Sequence, residues 1–264
     1  MPQLDGKVAI VSGAAQGLGE AYARKLADNG ATVVAFDVQD SMTDVVAAIS
    51  SDTGATVDGL VADVSKREDC ERVVAHAVDT HGGIDILVNN AGTWKETPVD
   101  SDWDQAVADW DYIMDTNLKG VLMLSRLTVP HLQARGGGDI VNISTYYVLP
   151  AKSNGTNQPV TDLYNASKWA LNGFTDAWAK YLAKDNIRVN GMCMGATDTP
   201  MLRGLFDDGQ LPPDMAEVVM RPADIAQQMI DLLADGRSGE NIGAWVGHPI
   251  EIPPHPAPNR LVSG

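Results

Sequence analysis

Tyr164 and Lys168, in the run YNASK, stand four residues apart in a stretch with helical patterning. On a helix that spacing puts both side chains on one face, one turn apart. A free phenol titrates near pH ~10 and keeps its proton at neutral pH. A fixed ammonium beside it favours the phenolate. The pair could therefore take a proton from an alcohol, or return one to a ketone. Tyr and Lys at this spacing more often form a solvated helix face, so the rest of the chain has to decide.

A base of this kind needs a scaffold and an electron acceptor. Strand-like runs fall at residues 8–12, 32–37, 57–61, 84–89, 139–144, 187–192 and, more weakly, 243–246. Amphipathic stretches of helix length lie between them, at 17–29, 66–81, 110–133 and 163–184. Continuous apolar strands such as KVAIVSG and DILVNNAG suit a parallel sheet covered on both faces. Alternating β and α segments predict an α/β fold, a single doubly wound parallel sheet of about seven strands with helices on both faces. No repeat or linker is evident, which predicts one Rossmann-like domain over residues 1–264 with an irregular proline-rich tail from 247.

Directly after the first strand comes SGAAQGLG, with Gly13, Gln16, Gly17, Leu18 and Gly19. Glycines there permit a tight turn and let backbone approach a diphosphate. The helix that follows points unsatisfied N–H groups at the anion. The second strand ends in Asp37, about twenty residues on, where a carboxylate can accept hydrogen bonds from a ribose and repel a 2′-phosphate. Neither Gln16 nor the residues just after Asp37 supply a cation for such a phosphate. The pattern selects NAD over NADP. Asp63, with Val64, ends the third strand within reach of an adenine. Asn89, Asn90, Ala91 and Gly92 end the fourth, where small residues admit the cofactor and Asn side chains tie strand ends together.

Composition narrows the alternatives. The chain has 264 residues, 44% of them hydrophobic, and a net charge of −16. That charge argues against nucleic acid or an anionic membrane as partner. No apolar run reaches the roughly 20 residues of a membrane span, and the first residues lack a signal-peptide core. Two scattered cysteines, Cys70 and Cys193, suit a reducing, cytoplasmic setting. No His or Cys cluster has metal-ligand spacing, so no metal is expected.

With the glycine turn, NNAG and YNASK all at strand ends, the chain resembles the short-chain dehydrogenase/reductase family, in its compact NAD-dependent type, from about residue 6 to about residue 234. SGAAQGLG is similar to the family's TGxxxGxG, and Tyr164 and Lys168 match its YxxxK pair. Asn117, in WDYIMDTNLKG, falls where the family places the Asn that holds a water of its proton relay. IRVNGMCMGATDTPM resembles the cofactor-clamping segment, with Thr197 and Thr199 able to contact carboxamide and diphosphate. The resemblance implies a homo-oligomer, dimer or tetramer, whose faces the long helices at 110–133 and 163–184 could supply.

Three departures stand out. Thr145 occupies the position of the family's catalytic Ser; it keeps a hydroxyl donor. Ser144, which strand alternation should turn away, and Ser153, inside an apparent insertion across 146–161, are the alternatives. Met194-Gly195 replaces the expected Pro-Gly. The end of the chain reads WVGHPIEIPPHPAP rather than V-D-G-G, which puts the last strand in question.

The resulting expectation is hydride transfer between NAD and a secondary alcohol or ketone. Tyr164 would be the acid/base, Thr145 would hold the oxygen, Lys168 would prime the phenol and hold ribose, and Asn117 would anchor a water. Trp94, Tyr146, Tyr147, Leu149, Met194, Met201, Leu202, Leu205 and Phe206 are expected to border the substrate, an apolar lining that suits a hydrophobic or cyclic skeleton. Lys95, Lys152 and Arg203 are the only cations nearby, which disfavours the rival reading, a 3-oxoacyl thioester reductase. A second rival is an NAD-binding sensor without catalysis.

Overall fold

Strands such as Val8–Ser12, buried at every position, have no wet face and must be covered on both sides. The computed structural model describes residues 3–149 and 159–254, and it shows that covering. The strands are β1 (Val8–Ser12), β2 (Thr32–Asp37), β3 (Val57–Val61), β4 (Ile86–Asn89), β5 (Gly138–Thr145), β6 (Ile187–Met194) and β7 (Asn241–Ala244). They form one seven-stranded sheet in the order β3-β2-β1-β4-β5-β6-β7, parallel throughout. The helices are α1 (Gly17–Asp28), α2 (Met42–Thr53), α3 (Arg67–His81), α4 (Trp103–Met114), α5 (Val121–Ala134), α6 (Asp162–Leu182), the one-turn α7 (Pro200–Arg203) and α8 (Pro213–Ala216), and α9 (Pro222–Asp235).

Period-two alternation divides the core into two layers. Ala9, Val11, Val33 and Ala35 face Tyr22, Leu26, Ile49 and Met229 of α1, α2 and α9. Ile10, Val34 and Phe36 face Val73, Leu124 and Leu182 of α3, α5 and α6. The expected doubly wound sheet is therefore present, and its strand order reverses between β1 and β4. In open α/β sheets that switch point opens the crevice where ligands bind.

Several boundaries differ from the sequence expectation for physical reasons. β4 begins at Ile86 rather than 84, because Asp85 is spent on side-chain pairing. Its carboxylate accepts from Val8 N at 3.0 Å, Lys7 Nζ at 3.0 Å and Arg135 Nη2 at 2.9 Å. The expected helix at 110–133 is three segments, α4, a π-helical turn at Asp115–Gly120, and α5. It also starts earlier, because Asp102 caps α4 by accepting from Gln105 N at 3.0 Å. The last strand forms despite its unfamiliar sequence, two residues earlier than expected, and pairs Met192 with Ile242.

The loop after β4 is pinned to the start of α6. Thr97 N donates to Val160 O at 2.6 Å, and Thr97 Oγ1 donates to Asp162 Oδ1 at 2.6 Å. This clamp fixes where the Tyr164 turn begins. Ser153 and Lys152 lie outside the described residues, as does the tail beyond 254.

Asp85 generates a stability prediction. Burial opposes its ionisation, but Arg135, the Val8 N–H and Lys7 outweigh that and hold its carboxyl below the usual range. Its contribution is full above the unfolded carboxylate value of about 3.9 and disappears as pH falls through the lower folded value. Asp85→Ala should cost about 2 kcal/mol at pH 7, discounted because Lys7 and Arg135 are half in water. Urea melts at pH 7 and pH 3 check it: the difference between variant and wild type should shrink at the acid end.

Candidate active site

The strand ends at the switch point open into a cleft of about 820 Å³. One half is built from backbone. Gly13 takes φ +66°, and a Cβ there would lie 2.7 Å from Ala91 Cα. At Gly19 the approach is closer, since a Cβ would meet Gly13 O at 1.9 Å. Asn90 completes the turn by donating from Nδ2 to Ser12 O at 2.9 Å and Gly13 O at 3.0 Å. Gln16, at the N-cap of α1, makes no side-chain cap, so the first N–H groups of that helix face the cleft unclaimed. A cradle lined by free donors and lacking side chains fits a diphosphate.

Asp37, buried at the tip of β2, is aimed by two backbone donors, Ala15 N to Oδ2 and Gln39 N to Oδ1, both at 3.1 Å. Each carboxylate oxygen keeps a lone pair for a ribose hydroxyl. Asp63 accepts from the Ser65 hydroxyl at 2.7 Å and from its N–H at 2.9 Å. Burial resists its ionisation, but Ser65 and Lys66 win and hold the carboxyl low. Gly13, Gln16, Gly17, Leu18, Gly19, Asp37, Asp63, Val64, Asn90, Thr197 and Thr199 all line this one cleft.

The other half holds Tyr164 and Lys168. Lys168, 5% exposed, donates from Nζ to Ile143 O at 2.9 Å, and the amine sits 5.8 Å from the centre of the Tyr164 ring. Desolvation pulls its pKa down to about 8. The Tyr164 phenol is raised above its ordinary value by burial and by the neighbouring Tyr147 oxygen, against a lowering hydrogen bond with the Thr145 side chain. Loss of water leads the balance at this phenol. Lys168 is committed to a carbonyl, and loss of water dominates both groups.

Thr145 is the hydroxyl beside the phenol. Ser144 lies instead with its Oγ 3.4 Å from Lys168 O and beside Cys193, whose thiol burial raises to about 12. Asn117 is completely buried in the π-helical turn, a distortion often found at functional sites. Its amide accepts from Thr93 N at 2.7 Å and donates to Thr93 O at 2.9 Å and Ser167 Oγ at 3.2 Å. An ideal Cβ on Gly92 would lie 3.4 Å from both Asn117 Oδ1 and Lys168 Nζ, so glycine leaves a gap between those two polar atoms.

Trp94, Tyr146, Tyr147, Met194, Met201, Leu202 and Leu205 border the cleft as expected, whereas Leu149 and Phe206 are not among its lining residues. Sequence reasoning missed Asp111, Tyr112, Asp115 and Thr116, which also line it. It missed Ser167 too, whose Oγ accepts from Asn117 and donates to Tyr164 O at 2.7 Å. The Asp102–Gln105 cap was the available signal for the first group; Ser167 carried none beyond its place in YNASK.

Charge in the cleft is one-sided. Among its described lining residues Lys168 is the only cation, against Asp37, Asp63, Asp111 and Asp115. Lys95 is paired with Asp109, and Arg203 holds Asp198 through two contacts of 2.6 and 3.0 Å. Away from the cleft the fold assembles a group that the sequence reading had excluded, Asp58 with His76 and His81.

A family profile described as short chain dehydrogenase matches residues 7–210. This chain is a short-chain dehydrogenase. It is 33% identical over 253 residues to the 3-oxoacyl-[acyl-carrier-protein] reductase FabG of Thermotoga maritima, covering 91% of this chain and 97% of that protein. It is 38% identical over 216 residues to dehydrogenase/reductase SDR family member 4 of Homo sapiens, covering 82% and 75%. The structure of a 7α-hydroxysteroid dehydrogenase complexed with NADH and 7-oxo glycochenodeoxycholic acid superposes with a TM-score of 0.81 at 29% identity, covering 95% of this short-chain dehydrogenase and 97% of that chain.

The close approach at Gly19 makes a direct test of the diphosphate cradle. In Gly19→Ala the added methyl must displace the Gly13 carbonyl, so NADH affinity should fall by more than about tenfold while the far-ultraviolet circular dichroism is unchanged. Fluorescence titration with NADH measures it.

Proposed function

We propose that this short-chain dehydrogenase is an NAD-dependent oxidoreductase of secondary alcohols and ketones on a hydrophobic or cyclic skeleton. The observation that carries the cofactor choice is the cleft's charge. Asp37 occupies the ribose end, and among the described residues no cation lines the cleft there to receive a 2′-phosphate. The N–H groups of α1 and the turn at Gly13, Gly17 and Gly19 would hold the diphosphate, Asp37 the adenosine ribose, Asp63 and Val64 the adenine side, and Thr197 and Thr199 the nicotinamide end. The nicotinamide supplies the hydride acceptor or donor.

The chain's own residues handle the proton. Tyr164 takes it from the alcohol oxygen, or gives it to the ketone. Thr145 donates a hydrogen bond to that oxygen as negative charge develops there. The phenol's raised pKa suits it to hold a proton for the ketone direction; as a base it needs the Lys168 ammonium and a bound cationic ring to bring it down. Asn117 positions Thr93 and Ser167, and its carbonyl oxygen, facing Lys168 across the Gly92 gap, supports the expected water relay. Trp94, Tyr146, Tyr147, Met194 and Leu202 form the apolar wall. Burial pushes the Tyr146 phenol up to about 12, so it stays neutral there.

A 3-oxoacyl thioester reductase is the second reading, favoured by the likeness to FabG. It requires cations for a carrier phosphate, and Lys95 and Arg203 are already neutralised by Asp109 and Asp198. Initial rates with NAD and NADP against a panel of cyclic secondary alcohols, with an acyl thioester as comparator, separate the readings. Wild type should prefer NAD and the alcohols, and Tyr164→Phe should lose about 10²–10⁴ in kcat with NADH binding retained. A preference for NADPH and the thioester, or full turnover by the variant, refutes the proposal.

The same reading includes a homo-oligomer. Trp103, Val107 and Trp110 form an exposed stripe on α4, with Trp103 80% exposed. A second copy of the chain would cover it. Sedimentation velocity should give a dimer or tetramer; a monomer at micromolar concentration contradicts this.

A further inference from the structure

Asp58 projects from β3, the outermost strand on its side of the sheet, towards α3. His76 and His81 reach it from the last turns of that helix. Both imidazoles use Nε2, at 2.7 and 2.8 Å, and both meet the same carboxylate oxygen, Oδ2. The rings stand nearly perpendicular, at 79° with centres 6.1 Å apart, so their nitrogens converge on one point without stacking. All three ligand atoms lie within 4.8 Å of one another, and all three side chains are half-buried. None of them lines the dinucleotide cleft.

We propose that Asp58, His76 and His81 form a structural binding site for a divalent transition-metal ion of the zinc class, outside the active site. Two neutral imidazoles and one carboxylate supply the nitrogen and oxygen donors such ions take, with water completing a tetrahedron. Metal–ligand bonds near 2.0–2.1 Å place tetrahedral ligands roughly 3.3 Å apart, so the two aspartate–histidine pairs need open by only about 0.5 Å. Side chains with one edge in water can make that adjustment. The site also lies at the C-terminal end of a fifteen-residue helix, where the unpaired carbonyls favour a cation. Gly82 ends the helix directly after His81, with φ +80°, and fixes where that last turn stops.

Its consequence is mechanical. An ion there would join the sheet's edge strand to α3. The opposite end of the same unit frames the adenine side of the cleft, where Asp63 N donates to Asp69 Oδ2 at 2.8 Å and Cys70 Sγ lies 3.3 Å from Val64 O. The metal is therefore a staple for the β3–α3 unit and takes no part in proton or hydride transfer.

The test uses the full-length, chelator-stripped protein, without added dinucleotide, titrated with zinc chloride by calorimetry. About one zinc per chain should bind, and melting temperature should rise with zinc concentration. Asp58→Asn, His76→Gln and His81→Gln should each weaken binding by more than about 100-fold, beyond the loss typical of outer-shell changes. His131→Gln, on α5, should not. Cobalt(II) should give the intense visible bands of a tetrahedral site in wild type and lose them in His76→Gln. Absence of stoichiometric binding, binding that survives all three ligand variants, or only weak octahedral cobalt bands overturns the proposal. Because the readouts are calorimetric and spectroscopic, the result is independent of whether the proposed alcohol oxidation is correct.

Discussion

The cleft is organised around a single buried amine. Lys168 has traded water for one carbonyl, that of Ile143 near the tip of β5, and so ties the first turns of α6 to the sheet. An ammonium in that position is costly, which is why its pKa drops to about 8. The Ile143 carbonyl offsets part of that cost. Tyr164, Thr145, Ser167 and Asn117 are all placed by elements that converge on this one side chain.

Two electrostatic effects compete at Tyr164, and their order depends on what fills the cleft. Without a ligand, loss of water dominates and raises the phenol. With a cationic ring alongside, charge would act in the same sense as the Thr145 hydrogen bond and lower it. On the proposed reading, the arrangement would couple proton transfer to occupancy of the cleft. A phenol that is reluctant to ionise when the cofactor is absent has little occasion to titrate unproductively.

The acidic character of the chain acts locally as well as globally. Among the described residues, four carboxylates and one ammonium line the cleft, while Lys95 and Arg203 are spent on Asp109 and Asp198. On the proposed reading, this surface would suit a neutral, apolar ligand at the open end and a dinucleotide without a 2′-phosphate at the other.

Short-range pattern sufficed for much of the molecule. Apolar runs named β1, β2 and β3 to the residue, and the glycine spacing, Asp37 and YNASK named the two ends of the cleft, because backbone conformation and side-chain period are local properties. Other features had no local signature. Asp85 shortens β4 through partners at Lys7 and Arg135; the π-helical turn at Asn117 breaks an otherwise continuous helical pattern; and the identity of the hydroxyl beside Tyr164 depends on how β5 meets α6. Asp58, His76 and His81 show the limit most clearly. They are eighteen and twenty-three positions apart in the chain from the shared aspartate, and only the packing of α3 on an edge strand brings three ordinary side chains to one point. Residue order determined which groups exist and which local shapes hold them; the distances between groups, and hence their chemistry, were decided when the layers closed.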